Sequence, residues 1–220
     1  MATSACSGPG ESRRSEGGEK LLDATGQIRT SSGGLNVDEI EAHCSQGDGL
    51  ACTLAGMHYL DKGSKQSDAR RARKYLSEAC DRDQPVACGL LASMLVTGNA
   101  LSRDLERAYR LYHKGCRLGG AFGCVGLARM HERGVVVEEN RREADRLYDH
   151  ACRLGDPQGC YWYGNFLREG EKPQSAVTPL VQACAGGEDD ACHLLRKHYE
   201  LDPQTADGRA ELVAELDTRC

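Results

Sequence analysis

Large apolar side chains are scarce in this chain of 220 residues. Leu, Ile, Val and Phe together make up about 17% of it, aromatic residues 5%, and there is one Trp. So low a content is typical of chains that cannot build a large central core, so something else must hold this polypeptide together. No apolar run approaches the roughly 18 to 20 residues a membrane span needs. The net charge of −5 lacks the basic excess of a nucleic-acid binder. Both classes are disfavoured, and the length allows one or two ordinary domains. Chemical motifs are missing as well. There is no Cys-x-x-Cys redox pair, no His-Glu-x-x-His, and none of the Ser-x-x-Lys, Ser-Asp-Asn and Lys-Thr-Gly set used by serine acylating enzymes. The seven His residues form no ligand cluster, and no cofactor or metal is expected.

What the chain has in abundance is cysteine, 12 residues, and ten of them repeat one spacing: Cys44/Cys52, Cys80/Cys88, Cys116/Cys124, Cys152/Cys160 and Cys184/Cys192. Each pair encloses seven residues. The first member recurs after 36, 36, 36 and 32 residues, the period of a helical solenoid. Cys220 stands 36 beyond Cys184 without a partner, and Cys6 stands apart.

Other positions keep the same step. Ala72, Ala108, Ala144 and Ala176 lie eight before the first Cys, and Leu76, Tyr112, Tyr148 and Leu180 four before it, one face of a helix ending at the Cys. Three residues after it come Gly47, Gly119, Gly155 and Gly187, suited to a left-handed helix stop, with Asp83 as the exception. Asp48 and Asp156 can cap the next helix, and Pro85 and Pro157 fit its first turn. That second helix carries Leu91, Ala92 and Leu95, then Leu127, Ala128 and His131, then Tyr163, Gly164 and Leu167, so His131 reads as a packed side chain. It stops at Gly63, Gly98, Gly134 or Gly170, and Asp68, Asp104 and Asn140 are placed to cap the helix that follows.

The expected fold is all-α, helix, short turn, helix, with a Cys pair astride each turn. Eight positions along one helix would separate the two Cys by about 12 Å, beyond the roughly 7 Å Cα limit of a disulfide, whereas a turn between two helices lets them meet. One such bond is worth about 2.5 kcal/mol in the chain-entropy model. Zinc ligation fits the spacing poorly, and free buried thiols are the other alternative.

The stretches "YRLYHKGCRLGGAFGCVGLARMHERG" (109–134) and "DRLYDHACRLGDPQGCYWYGNFLREG" (145–170) resemble the Sel-1-like repeat, a relative of the tetratricopeptide repeat, in its cysteine-rich Hcp type. The likeness covers roughly residues 36 to 200. It implies an α/α superhelical solenoid of about five units in which the Cys pairs are disulfides. The unit beginning at Cys152 is four residues short, and Arg196 replaces a small residue in the last one. In tetratricopeptide-like solenoids the first helix of each unit lines a concave groove. Positions one, five and eight after each second Cys then face it, among them Met57, Ser93, Arg129, Tyr161, Asn165, Arg168 and Lys197, with Glu200 at the far end. The resemblance implies a non-enzymatic scaffold for a protein or peptide, with a ligand carboxylate held by the Arg and Asn groups. Its alternative is a β-lactam-binding or β-lactam-hydrolysing protein, for which no catalytic motif is present.

Residues 1–34, rich in Ser and Gly, read as a flexible lead, and 35–220 as the solenoid with a C-terminal capping helix. No signal peptide is recognised, yet dense cysteine pairing argues for an oxidising compartment. A periplasmic or secreted location is expected for a mature form, with the mitochondrial intermembrane space as the alternative. "TSAC" resembles a bacterial lipoprotein cleavage site, which would make Cys6 a lipid anchor. A monomer is expected.

Overall fold

A computed structural model describes residues 36–61, 66–98, 102–170 and 173–199. Cys6, Glu200, Cys220 and the segments expected to form a flexible lead and a capping helix lie outside them. Ten α-helices follow one another: α1 (Val37–Ser45), α2 (Gly49–Asp61), α3 (Gln66–Asp81), α4 (Pro85–Thr97), α5 (Leu105–Arg117), α6 (Ala121–Glu132), α7 (Arg141–Arg153), α8 (Pro157–Glu169), α9 (Val177–Ala185) and α10 (Asp189–Tyr199). There are no strands among the described residues.

Every odd helix ends in the same turn. The N–H three residues beyond the first Cys donates to that Cys carbonyl, and the next N–H donates to the carbonyl just before the Cys. Gly119 to Cys116 (2.9 Å) and Gly120 to Gly115 (2.9 Å) show the pattern. This is the Schellman motif, which needs a left-handed residue at its apex. Gly47, Gly119, Gly155 and Gly187 supply it with φ between 85° and 98°. Asp83 interrupts the glycine column but keeps the conformation, at φ 59°. Its carboxylate pairs with Lys114 of α5 at 2.9 Å, and the same ammonium donates to the Cys80 carbonyl at 2.7 Å. That pairing holds the Asp83 carboxyl below the usual carboxylate range.

The turn aims the following helix back along its predecessor, and each Cys pair closes across it. Five disulfides form, Cys44–Cys52, Cys80–Cys88, Cys116–Cys124, Cys152–Cys160 and Cys184–Cys192, with Cα separations of 4.3 to 4.8 Å. The odd helices run one residue past the first Cys, to Ser45, Asp81, Arg117, Arg153 and Ala185, so they do not end at the Cys as its spacing suggested. Cys52, Cys88, Cys124, Cys160 and Cys192 all sit in the first turn of an even helix and are buried. Each therefore meets its partner across a turn of only a few residues. The sulfurs are spent on one another, so these ten residues are neither free thiols nor metal ligands. Although Cys116, Cys124 and His150 converge on one point, zinc would need thiolates there.

Capping follows the sequence in most places. Asp48, Asp104, Asn140 and Asp156 accept from first-turn N–H groups, and Pro85 and Pro157 occupy the first helical turn. Asp68 does not cap. Gln66 and Ser67 already belong to α3, which puts Asp68 inside its first turn, where a carboxylate suits the positive end of the helix dipole. The shortened loop before the fifth disulfide is taken up by a single 3-10 turn, Pro173–Ala176, so α9 starts at Val177 and runs only nine residues.

Burial is distributed along the array in three successive clusters. The repeated Ala and Leu or Tyr positions are its anchors: Ala72, Leu76, Ala108, Tyr112, Ala144, Tyr148, Ala176 and Leu180 are all buried. Small residues opposite them are steric necessities. A Cβ on Gly126 would lie 2.3 Å from the Tyr112 ring, and one on Gly164 2.7 Å from Leu180. Helices α2, α4, α6 and α8 touch one another in succession, while no two odd-numbered helices pack comparably among the described residues. Helices α2, α4, α6 and α8 therefore form one continuous layer of the array.

Replacing Cys116 and Cys124 together by Ser should lower unfolding stability by about 2.5 kcal/mol with the helical far-UV signal retained, as measured by denaturant titration. Intact-mass and peptide mapping of the unreduced protein should find only the five pairings within Cys-x7-Cys units.

Candidate functional site

Two adjacent cavities open where the even helices meet α5 and α7. The larger, about 260 Å³, lies between α4, α5 and α6. Val96, Leu105, Tyr112, Phe122, Val125 and Met130 give it an apolar lining, and Ser93 and Thr97 add hydroxyls. Arg103, Arg129 and Arg133 stand at it, and no carboxylate does among the described residues. Tyr112 can lie flat on α6 because Gly126 has no side chain. Phe122 is partly exposed although aromatic, and Val135 reaches the cavity from a loop whose next residue, Val136, is held at φ 71°, a costly conformation for a β-branched side chain.

The smaller cavity, about 110 Å³, lies between the end of α6, α7 and α8. Its walls are Tyr148, Trp162 and Phe166, and its charged groups are Glu132, Asp145, Glu169 and Arg141, with Asn165 alongside. Tyr148 stacks on Trp162 with ring centroids 6.0 Å apart, and its hydroxyl donates to Glu132 at 3.0 Å. Burial, reinforced by Glu132, pushes the Tyr148 phenol far above its ordinary value. Arg141 pairs with Glu169 at 3.0 Å and lies over the Phe166 ring. Burial and, after it, the neighbouring Asp149 raise the Asp145 carboxyl to about 6. The two cavities share a wall: the Arg129 guanidinium sits 5.6 Å from the Trp162 ring centroid.

The residues expected to line a groove divide accordingly. Ser93 and Arg129 belong to the larger cavity and Asn165 to the smaller. Arg168 donates to Asn165 Oδ1 through Nε (3.1 Å) and Nη (2.8 Å) and also pairs with Glu169, so its charge is partly committed within α8. Tyr161 is half-buried, edge-on to Trp162, and its phenol is raised by burial. Met57, 45% exposed on α2, and Lys197, exposed on α10, border neither cavity. His131 is packed as expected, with its ring 3.4 Å from the Tyr109 hydroxyl. Sequence reasoning missed Arg103, Arg133, Phe122, Asp145 and Trp162. Arg103, Arg133 and Phe122 fall outside the three repeat columns assigned to the groove, and Asp145 stands on an outer helix. A signal existed only for Trp162, the single Trp of the chain.

Because the folded chain holds the Asp145 proton to higher pH than an unfolded chain would, this residue contributes stability that is present below about pH 4 and lost as pH rises through about 6. Asp145→Asn should therefore raise the melting temperature at pH 7 relative to the parent protein and show little difference at pH 4, as read by thermal unfolding at both pH values.

The Sel1 repeat profile matches residues 49–84, 85–120 and 121–156. Each match joins an even helix to the following odd one, so every disulfide spans the end of one repeat and the start of the next. No curated protein matches the chain significantly. Among solved structures, a Sel1 repeat protein from Oxalobacter formigenes is similar at 20% identity and TM-score 0.63, with 74% of this chain and 75% of that one covered. A protective antigen of uropathogenic Escherichia coli displaying an SLR fold is similar at 20% identity and TM-score 0.60, over 83% of this chain and 41% of that one. Cysteine rich protein B of Helicobacter pylori has 28% identity over 59% of this chain and 98% of its own, with TM-score 0.45. Three consecutive repeats, an α/α array and a disulfide at every odd-to-even turn among the described residues lead to one assignment: the chain belongs to the Sel1 repeat family, as a cysteine-rich member.

Proposed function

We propose that the protein is a non-enzymatic scaffold that binds a peptide or protein partner on the face of its even helices. Sel1 repeats are protein-interaction modules, and the cavity beside Arg129 supports that use here. It combines an apolar lining with three guanidinium groups and, among the described residues, no acid. This chemistry suits an extended segment ending in an apolar residue and a free carboxylate. Guanidinium forks give such a carboxylate charge-assisted bonds, and Arg168 and Asn165 continue the polar track on α8. The chain acts as a monomer and needs no cofactor. Five disulfides suit an extracytoplasmic, oxidising compartment, which we take to be the periplasm or the exterior, the mitochondrial intermembrane space being the alternative.

A displayed library of short peptides tests this reading, each presented with a free and with an amidated C-terminus. Peptides ending in a bulky apolar residue should be retained at least about tenfold better with the free carboxylate, a difference of roughly 1.4 kcal/mol. The double variant Arg129→Glu, Arg168→Glu should lose that preference with its thermal unfolding still cooperative. Equal retention of free and amidated peptides, or unchanged affinity in the variant, overturns the groove assignment. Turnover of a chromogenic β-lactam that survives repurification would instead favour a hydrolase.

A further inference from the structure

The smaller cavity is chemically the inverse of its neighbour. Of its three carboxylates, only Glu169 has a cationic partner among the cavity residues, Arg141. Glu132 accepts a hydrogen bond from the Tyr148 hydroxyl and has no ion pair among the described residues, and neither has Asp145. Asp145 Oδ1 is fully enclosed and has no hydrogen-bond partner among the described residues, and the same holds for the indole N–H of Trp162. A buried acceptor left unpaired is destabilising, and a bound donor would relieve that cost. Arg129 lies against the Trp162 ring and pairs with neither acid.

Three aromatic rings around two unneutralised carboxylates favour an organic cation, since ring faces attract an ammonium while adding no ligand atom for a metal. The volume of about 110 Å³ matches the end of an alkylammonium chain and is too small for a nucleotide. We propose that this cavity is a subsite for a primary ammonium group, held by Asp145 and Glu132 against the faces of Tyr148 and Trp162. The inference extends the scaffold reading by placing a cationic subsite beside the anionic one. It is tested separately, because carboxylate-ended peptides can bind the larger cavity whether or not the smaller takes an amine. The ammonium can come from a lysine side chain or a chain N-terminus.

Trp162 is the only Trp in the chain and lines this cavity, so a single indole N–H resonance reports on its occupancy. The disulfide-intact, 15N-labelled protein is titrated at pH 7.5 with Nα-acetyl-lysine methylamide, alanine methylamide and Nα-acetyl-norleucine methylamide. One or both ammonium compounds should give a saturating shift, the tighter of them identifying the source, and the norleucine compound none. Asp145→Asn should weaken the ammonium ligand about tenfold. Loss of charge already suits this half-buried site, so the variant folds. Glu132→Gln, which still accepts from Tyr148, should weaken it by a smaller factor. Lowering the pH to 5 should weaken the parent about tenfold and leave Asp145→Asn much less affected. The groups that face Asp145 are Arg141 and Asp149 of α7, Glu132 of α6, and Tyr163 and Glu169 of α8. Burial brings Asp145 into this pH range. An equal shift from the norleucine compound, no saturable shift from either amine, or an affinity indifferent to both Asp145→Asn and pH overturns the proposal.

Discussion

The architecture depends on one repeated covalent constraint, a disulfide that closes the turn between each odd helix and the even helix after it. The backbone alone makes a Schellman stop there, which sets the exit direction of the chain. The sulfur bridge then holds the two Cα atoms below 5 Å, so the next helix can only fold back alongside. Because the repeat boundary falls inside that turn, each bond fastens one repeat to the next, as Cys80–Cys88 does across the boundary at Pro85. Neighbouring interfaces are where a solenoid gains its stability, and they are thin in this chain.

That fastening explains how so few large apolar residues suffice. The interfaces set a small residue against the repeated Leu or Tyr, Gly56 against Leu76, Gly126 against Tyr112 and Gly164 against Leu180, beside the buried Ala column. Close backbone approach substitutes for bulk. The scheme also tolerates local variation. At Asp83 a left-handed residue with a Cβ is retained, anchored by Lys114 from the next repeat. In the short unit, a 3-10 turn replaces most of a helical turn while Ala176 and Leu180 remain in their buried places and Cys184 still reaches Cys192.

With the framework carried by periodic positions, the remaining positions of the even helices are free to differ, and they differ in charge. One cavity gathers three Arg groups around an apolar lining, and the next gathers acids among aromatic rings. Arg129 and Trp162 form the boundary between them. Two pockets of opposite sign in contact suit a ligand that is itself polarised along its length, a stricter requirement than a uniformly charged groove would impose.

Amino-acid order alone determined the helical repeat, its period, the Cys pairs, most caps and the buried columns, because each rests on local spacing that recurs along the chain and depends on nothing distant. Even the Gly column was informative where it failed, since the turn at Asp83 obeys the same geometry. The cap at Asp68 was misread because no local signal separates a cap from a first-turn acid. The cavities were only partly legible. Ser93, Arg129 and Asn165 follow from the repeat columns, but Arg103 and Arg133 sit in connections, and Asp145 comes from an outer helix. Their convergence depends on how consecutive repeats stack, as do the burial that raises the Asp145 carboxyl and the placing of Trp162 between two pockets. Only the tertiary structure decided these, because charge and exposure at a repeat boundary are set by residues of the next repeat, roughly a full period away in the chain.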